Sequence, residues 1–313
     1  MAKIIVTHGL PAEGFDLLAG HEVLLPPPLT SFTEAELLAL IPDADAVVAG
    51  GAMPARVIRA GKRLRIIANY GAGYDQVDIA AAAAAGIPVT NIPETVTEPT
   101  AEVALALMLS AARRVGEMNL RLRREPPESL FGMGRHMGVS LRGKTLGILG
   151  CGRIGGRVAE MGRALGMRAI GYSRRGVDAS VAESVSFDEL IARSDVLSLH
   201  CPLTDETRGI ISREVIARMK PGALLINTAR GAVVDNEALA EAVASGHLAG
   251  AGVDVYPDEP HVPACLLEQE RIVLTPHVGS NTREARREMA RACSRQILAA
   301  LAGERPVSIV NGL

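Results

Sequence analysis

Residues 145–166 read TLGILGCGRIGGRVAEMGRALG. An apolar run opens the stretch, and Gly150, Gly152 and Gly155 follow in G-x-G-x-x-G spacing at the start of a helical pattern. In that setting Gly150 permits a tight turn, Gly152 lets the backbone approach a pyrophosphate, and Gly155 lets the helix pack closely on the strand. The first N–H groups of such a helix have no partners within it, so they face and favour an anion. The stretch predicts a strand, a phosphate-binding turn and a helix: the opening unit of a dinucleotide-binding sheet.

Further strands follow at RAIGY (168–172), DVLSLH (195–200), ALLINT (223–228), GAGVDV (250–255) and RIVLT (271–275). With the first, they make six strands separated by four helices and a final loop, a complete doubly wound sheet. An earlier series at IIV (4–6), VLL (23–25), AVVAG (46–50), RIIANY (65–70) and IPVTNI (87–92) alternates with helical stretches in the same way. The fold class predicted is α/β, with two doubly wound parallel-sheet domains. Between the series, residues 97–124 read as one long connecting helix, opened by Thr97 and closed by arginines. Residues 281–303 read as a capped amphipathic helix beyond a sheet that is already complete, so it is expected to return to the first domain and make that domain discontinuous. The expected domains are 1–98 with 285–313, and 99–284.

Bulk properties narrow the partners. The 313 residues are 48% hydrophobic with a formal charge of −2, and acids and bases are mixed along the chain. No basic field is present for nucleic acid or an anionic membrane, which leaves small molecules as the expected ligands. The N-terminus MAKIIVTHGL has no secretory pattern and no later run reaches transmembrane length, so a cytoplasmic protein is expected. Cys151, Cys201, Cys265 and Cys293 are scattered, without CxxC pairs or histidines at ligand spacing, which predicts reduced, mostly buried thiols and no metal site. The loop-like stretch 126–143 after the alanine-rich helix is expected to reach across to a second subunit in a homodimer.

About 20 residues beyond a glycine turn of this kind an acidic residue ordinarily accepts the ribose 2′-hydroxyl. Here that position is occupied by GYSRRG (171–176). Ser173, Arg174 and Arg175 offer a hydroxyl and two guanidinium forks, which suit a 2′-phosphate. NADP(H) is therefore the expected cofactor, with NAD(H) possible if the arginines are only solvated loop charges. Asp178 sits too far past the strand end to replace the missing acid.

Three polar residues follow strand ends in the second series: Arg230 in NTARGAVVD, Glu259 in DVYPDEP and His277 in LTPHVGS. Together with GCGRIG, HCPLTDETRGII (200–211) and the long stretch 219–260, they make the chain resemble the D-isomer-specific 2-hydroxyacid dehydrogenases over nearly its whole length. The resemblance implies a flavodoxin-like substrate domain beside a Rossmann cofactor domain, an active site in the cleft between them, and hinges near 97–100 and 281–286. It implies that Arg230, Glu259 and His277 are the catalytic set. Arg230 would bind the substrate carboxylate and 2-oxo oxygen, and His277 would donate a proton as hydride arrives. Glu259 would fix the imidazole tautomer and favour its protonated form.

The resemblance further places the cofactor against the backbone of Arg153 and Ile154, and against Cys201, Pro202, Thr207, Thr228, Ala229, Asp254 and Gly279. The turn ANYGAGYDQVDI (68–79) resembles the family loop whose N–H groups receive the substrate carboxylate, a role that falls on Gly71, Ala72 and Gly73. Asp254, an isolated carboxylate ending GAGVDV, is not explained by packing and points to a ligand partner. Two departures stand out: no tryptophan precedes the glycine turn, and Ser-Arg-Arg replaces the ribose acid. The opening VTHGLPAEGFDLL resembles glyoxylate reductase members, so glyoxylate and hydroxypyruvate are the first substrates expected and 2-ketogluconate the next. The alternatives are an NAD(P)-sensing corepressor-like protein without turnover, or an NAD-dependent phosphoglycerate, phosphite or formate dehydrogenase. Of these, the phosphoglycerate dehydrogenase is disfavoured because the chain ends at Leu313, with no room for the regulatory domain many such enzymes carry, and the corepressor-like protein because no disordered tail or peptide-binding extension is present.

Overall fold

The computed structural model describes residues Met1–Leu313. The chain forms two compact units, one of Met1–Val96 with Ser280–Leu313 and the other of Thr97–Gly279. No helix is long and apolar enough to cross a membrane.

The first unit is built on strands β1 (Lys3–Val6), β2 (Glu22–Leu24), β3 (Ala46–Ala49), β4 (Ile66–Asn69) and β5 (Val89–Thr90). All pairings are parallel and the order is β2-β1-β3-β4-β5, the flavodoxin-like arrangement. Successive side chains of a strand point to opposite faces, and in β3, β4 and residues 4–6 of β1 both faces are buried, which is why these strands read as continuous apolar runs, while the edge strand β2 stays partly exposed. Ile4, Val6, Val48 and Ile66 pack under Met289, Cys293 and Ile297 of the C-terminal helix. Ile5, Val47 and Ile67 pack on the other face with helices α1 (Glu34–Leu40), α2 (Ala55–Ala60) and α3 (Ile79–Ala84). The boundaries have chemical causes: Thr33 and Glu36 form a capping box for α1, and the Asp78 carboxylate caps α3.

In the second unit, β6 (Thr145–Leu149), β7 (Arg168–Tyr172), β8 (Glu183–Ser184), β9 (Val196–Leu199), β10 (Ala223–Asn227), β11 (Leu248–Val253) and β12 (Ile272–Leu274) form one parallel sheet. Its order, β12-β11-β10-β9-β6-β7-β8, is the Rossmann order with a seventh strand. The two-residue edge strand β8 is one more than the six strands expected; it is polar and exposed, so it lacks the apolar run that marks the others. Helices α4 (Thr97–Arg113) and α6 (Arg153–Ala164) cover one face through Ala104, Leu107, Met108 and Val158. Helices α7 (Phe187–Arg193), α8 (Arg213–Ala217), α9 (Asn236–Ala244) and the single turn α10 (Ala264–Leu267) lie along the other, where Leu190, Leu239 and Leu266 join the core. The final connection therefore carries a short helix where only a loop was expected.

Residues 97–124 are two helices, not one. The second, α5 (Val115–Arg124), follows Arg114, whose φ of 56° is left-handed. The cause lies in residues 138–139: the Ala112 carbonyl accepts the Val139 N–H at 2.8 Å and so leaves the helical ladder. The Gly116 N–H turns to Ser110 Oγ at 3.2 Å, and the Arg114 guanidinium closes the corner on buried Glu117. Helix α11 (Arg283–Ala302) is capped by the Thr282 hydroxyl and ended by Gly303 in the left-handed region. Its apolar face supplies part of the first unit's core, which is why residues so far along the chain belong there.

Candidate active site

The glycine turn lies at the end of β6, beside β9. Here the chain order of the sheet reverses, the place where open α/β sheets bind ligands. Its three glycines differ physically. Gly150 has φ +95°, and a Cβ there would stand 2.6 Å from the Cys201 nitrogen. A Cβ on Gly155 would overlap the Gly150 carbonyl oxygen and approach Ile148 Cγ2 to 2.9 Å. Gly152 has ordinary dihedrals, φ −82° and ψ −157°, and nothing within 4 Å of where its Cβ would be. Neither strain nor packing within the protein requires glycine at 152, so the open space above it fits the close approach of a pyrophosphate. Arg153 and Ile154 form the first turn of α6 directly after it.

Beyond β7, Ser173 begins a turn closed by the Gly176 N–H on its carbonyl at 3.0 Å. Arg174 and Arg175 are exposed, and Arg174 Nη1 lies 3.3 Å from Glu206 Oε2. Beyond β9, Cys201 is buried, and burial pushes its thiol up to about 11. The Thr207 hydroxyl donates to the Pro202 carbonyl at 2.6 Å and accepts the Thr204 N–H at 2.8 Å, so it ties its own loop together. Thr228 and Ala229 follow β10 and are buried; Thr228 Oγ1 is 3.4 Å from His200 Nδ1, and the Ala229 N–H donates to Asn227 Oδ1.

Arg230, Glu259 and His277 follow the ends of β10, β11 and β12. Glu259 Oε2 lies 2.7 Å from His277 Nδ1, and Glu259 Oε1 accepts the Tyr256 N–H at 3.0 Å. Burial alone would raise the Glu259 carboxyl, but His277, the Tyr256 N–H and the Arg230 charge together hold it below its ordinary range. An ionised carboxylate only accepts, so Nδ1 carries the hydrogen and Nε2 is left for other chemistry. Arg230 Nη1 donates to the Ala229 carbonyl at 2.7 Å, and its own carbonyl accepts from Asn227 Nδ2 at 3.0 Å.

Asp254 is not isolated, contrary to the expectation from sequence. Its buried carboxylate accepts the Thr275 hydroxyl at 2.6 Å and the Val278 and Gly279 N–H groups at 2.8 and 2.9 Å. Its carbonyl accepts the His277 N–H at 2.8 Å. These bonds hold the turn in which His277 adopts a left-handed φ of 51°, a conformation sustained only where surrounding bonds over-determine it. The signal was invisible in sequence because Asp254 and its partners lie 21 to 25 residues apart.

In the first unit, the loop after β4 also departs from expectation. The Gly71 N–H donates to the Asn69 carbonyl at 2.9 Å and is committed within the loop. Asn69 Nδ2 holds the Gly71 and Gly73 carbonyls at 3.0 and 2.9 Å, and Asn91 Nδ2 holds that of Ala72 at 2.8 Å. With the carbonyls turned inward, the Ala72 and Gly73 amides are the donors the loop leaves open. Sequence reasoning also missed His8, at the end of β1 beside β3, the point of order reversal in this sheet. Its Nδ1 is 2.9 Å from Thr7 Oγ1, and its ring occupies space that a Cβ on Gly51 would fill. The doublet Gly50-Gly51 was the one available signal.

Fold and site together define a two-domain α/β protein whose second sheet is built to bind a dinucleotide. Residues 105–279 match the family model described as D-isomer specific 2-hydroxyacid dehydrogenase, NAD binding domain. A glyoxylate reductase of Thermococcus litoralis is 40% identical over 99% of this chain and 96% of its own length. A D-3-phosphoglycerate dehydrogenase of Mycobacterium leprae is 40% identical over 88% of this chain, which spans 53% of that relative. The crystal structure of an NADPH-dependent glyoxylate/hydroxypyruvate reductase from Sinorhizobium meliloti, in complex with NADP and malonate, has a TM-score of 0.87 at 30% identity and covers 99% of this chain and 96% of its own. The chain belongs to the D-isomer-specific 2-hydroxyacid dehydrogenase family.

Proposed function

We propose that the protein reduces a small 2-oxo acid to the D-2-hydroxy acid with NADPH in preference to NADH, glyoxylate and hydroxypyruvate first and 2-ketogluconate next. The observation that carries this reading is the 2.7 Å pair of Glu259 and His277, placed at strand ends beside Arg230. NADPH supplies the hydride when bound. Arg230 binds the substrate carboxylate and polarises the 2-oxo oxygen through charge-assisted hydrogen bonds. His277 gives the proton from Nε2 to that oxygen, while Glu259 keeps Nδ1–H occupied and the ring in place. The Ala72 and Gly73 amides receive the carboxylate. The cofactor is held by Gly150–Gly155 at the pyrophosphate, by Cys201 and Pro202 beside the adenosine, and by Thr228, Ala229 and Gly279 at the nicotinamide. The lone pairs left on Asp254 accept from its carboxamide. Thr207 serves this site by shaping its loop rather than by its own hydroxyl.

The preference for NADPH rests on Ser173, Arg174 and Arg175 in place of a ribose acid. It agrees with the named cofactor of the Sinorhizobium reductase. A homodimer completes the reading: Phe131, Met133 and Met137 are 73%, 102% and 75% exposed, an apolar surface better suited to a second copy than to water.

The Mycobacterium relative favours a second reading, NAD-dependent oxidation of 3-phosphoglycerate. A matrix of NADH and NADPH against glyoxylate, hydroxypyruvate, 2-ketogluconate and pyruvate, with NAD and 3-phosphoglycerate in the reverse direction, separates the two. The proposal requires the highest kcat/KM for a small 2-oxo acid with NADPH. Highest turnover of 3-phosphoglycerate with NAD selects the second reading, and tight NADPH binding without turnover of any acid selects a sensing protein.

A further inference from the structure

We infer that Glu206 is a specificity-determining residue for the cofactor, its carboxylate sharing Arg174 with the 2′-phosphate and so moderating the preference for NADPH. The inference rests on the reading of Arg174 given above and asks what sets the strength of that preference.

Arg174 stands two residues beyond β7 and Glu206 seven residues beyond β9, and β6 runs between those strands. Two strand spacings separate the strand ends by about 10 Å. The Arg174–Glu206 ion pair, at 3.3 Å, joins the two loops across the end of β6, where the glycine turn begins. Adenosine bound at that turn would lie beside this bridge.

Glu206 is held in place for the purpose. Its Oε2 accepts the Thr204 hydroxyl at 2.7 Å, and Thr204 is fixed by Thr207, which is bonded in turn to the Pro202 carbonyl. The Arg174 contact uses one Nη, and the guanidinium has five N–H donors in all. The rest of the fork remains for a phosphate. When the phosphate binds, two anions share one cation, and their repulsion offsets part of the gain. With NADH, a neutral ribose hydroxyl meets an arginine whose charge is already balanced. The pair thus penalises NADPH and leaves NADH untouched.

The test is the dissociation constant of each dinucleotide, by fluorescence titration of the full chain, for wild type, Glu206→Gln, Arg174→Ala and the double variant. Gln at 206 keeps an oxygen for Thr204, so the loop is retained. Glu206→Gln is expected to tighten NADPH three- to tenfold in low salt, with NADH changed less than twofold. The gain shrinks in 0.5 M salt, where the Debye length falls below about 5 Å, and is at least halved on the Arg174→Ala background. Equal effects on both dinucleotides, no effect, or the same gain without Arg174 would overturn the role of Glu206. If wild type binds NADH as tightly as NADPH and Arg174→Ala weakens neither selectively, the reading of Arg174 itself fails and this inference falls with it.

Discussion

His277 Nδ1 and Glu259 Oε2 are 2.7 Å apart, and the carboxylate that holds the ring also accepts the Tyr256 N–H. A side chain fixed on one nitrogen in this way presents the other in a defined direction. General acid catalysis by such a group contributes roughly 10²–10⁴-fold. His277→Asn is therefore expected to lower kcat by that order. Glu259→Gln should cost about a hundredfold and alter the pH dependence of kcat/KM, because an amide can present its own N–H to Nδ1 and support the wrong tautomer. The Glu259 carboxyl is held below its ordinary range, so the pair is intact above that range and is lost as pH falls through the lowered value. Unchanged kcat in Glu259→Gln, measured with saturating substrate, would refute the role.

Gly152 and Gly155 should respond differently to the same substitution. Gly152→Ala meets no protein atom within 4 Å, so its melting temperature should match wild type while the dissociation constant for NADPH rises at least tenfold. Gly155→Ala collides with the Gly150 carbonyl and should destabilise the fold by about 1–3 kcal/mol. Thermal denaturation alongside dinucleotide titration checks both; equal loss of stability in the two variants contradicts the assignment.

His200 makes the second unit sensitive to acid. Burial pushes its imidazole from 6.5 down to about 3, and its two nitrogens face the Ser198 and Thr228 hydroxyls. The folded value lies below the unfolded one, so the unfolded chain takes the proton first. The contribution of this group is complete above pH 6.5 and is lost as pH falls towards 3, at up to about 1.4 kcal/mol per pH unit. Urea midpoints at pH 7.5 and 5.0 should fall less in His200→Asn than in wild type; identical slopes would remove His200 as the cause.

Arg174→Ala should raise the Michaelis constant for NADPH tenfold or more and leave that for NADH within about twofold, since only the phosphate loses a charge-assisted partner. Steady-state kinetics at fixed glyoxylate decides it. Parallel changes for the two cofactors would mean that Arg174 does not read the 2′-phosphate.

Asp254→Asn replaces a carboxylate that accepts two backbone N–H groups and a hydroxyl with a group that must point a donor at one of them. The expected cost is about 1–3 kcal/mol of stability, together with a loss of kcat as the His277 turn relaxes from its left-handed conformation. Full activity in a destabilised variant would show that the turn does not depend on this clamp.

Local chemistry was enough to reveal much of this protein. Strands buried on both faces must be apolar, and a phosphate turn needs glycine at fixed offsets, so both sheets and the turn at 150–155 were legible in the chain. The positions of Arg230, Glu259 and His277 after strand ends were legible for the same reason. What tertiary structure alone decided depends on groups distant in sequence. The break at Arg114 is set by Val139, the conformation of His277 by Asp254, and the partner of Arg174 by a loop two strands away. In the loop after β4, side-chain amides from Asn69 and Asn91 decide which backbone donors stay open. A hydrogen bond has no sequence signature when its two ends meet only after the sheet has formed, and these bonds turn a familiar pattern into a specific site.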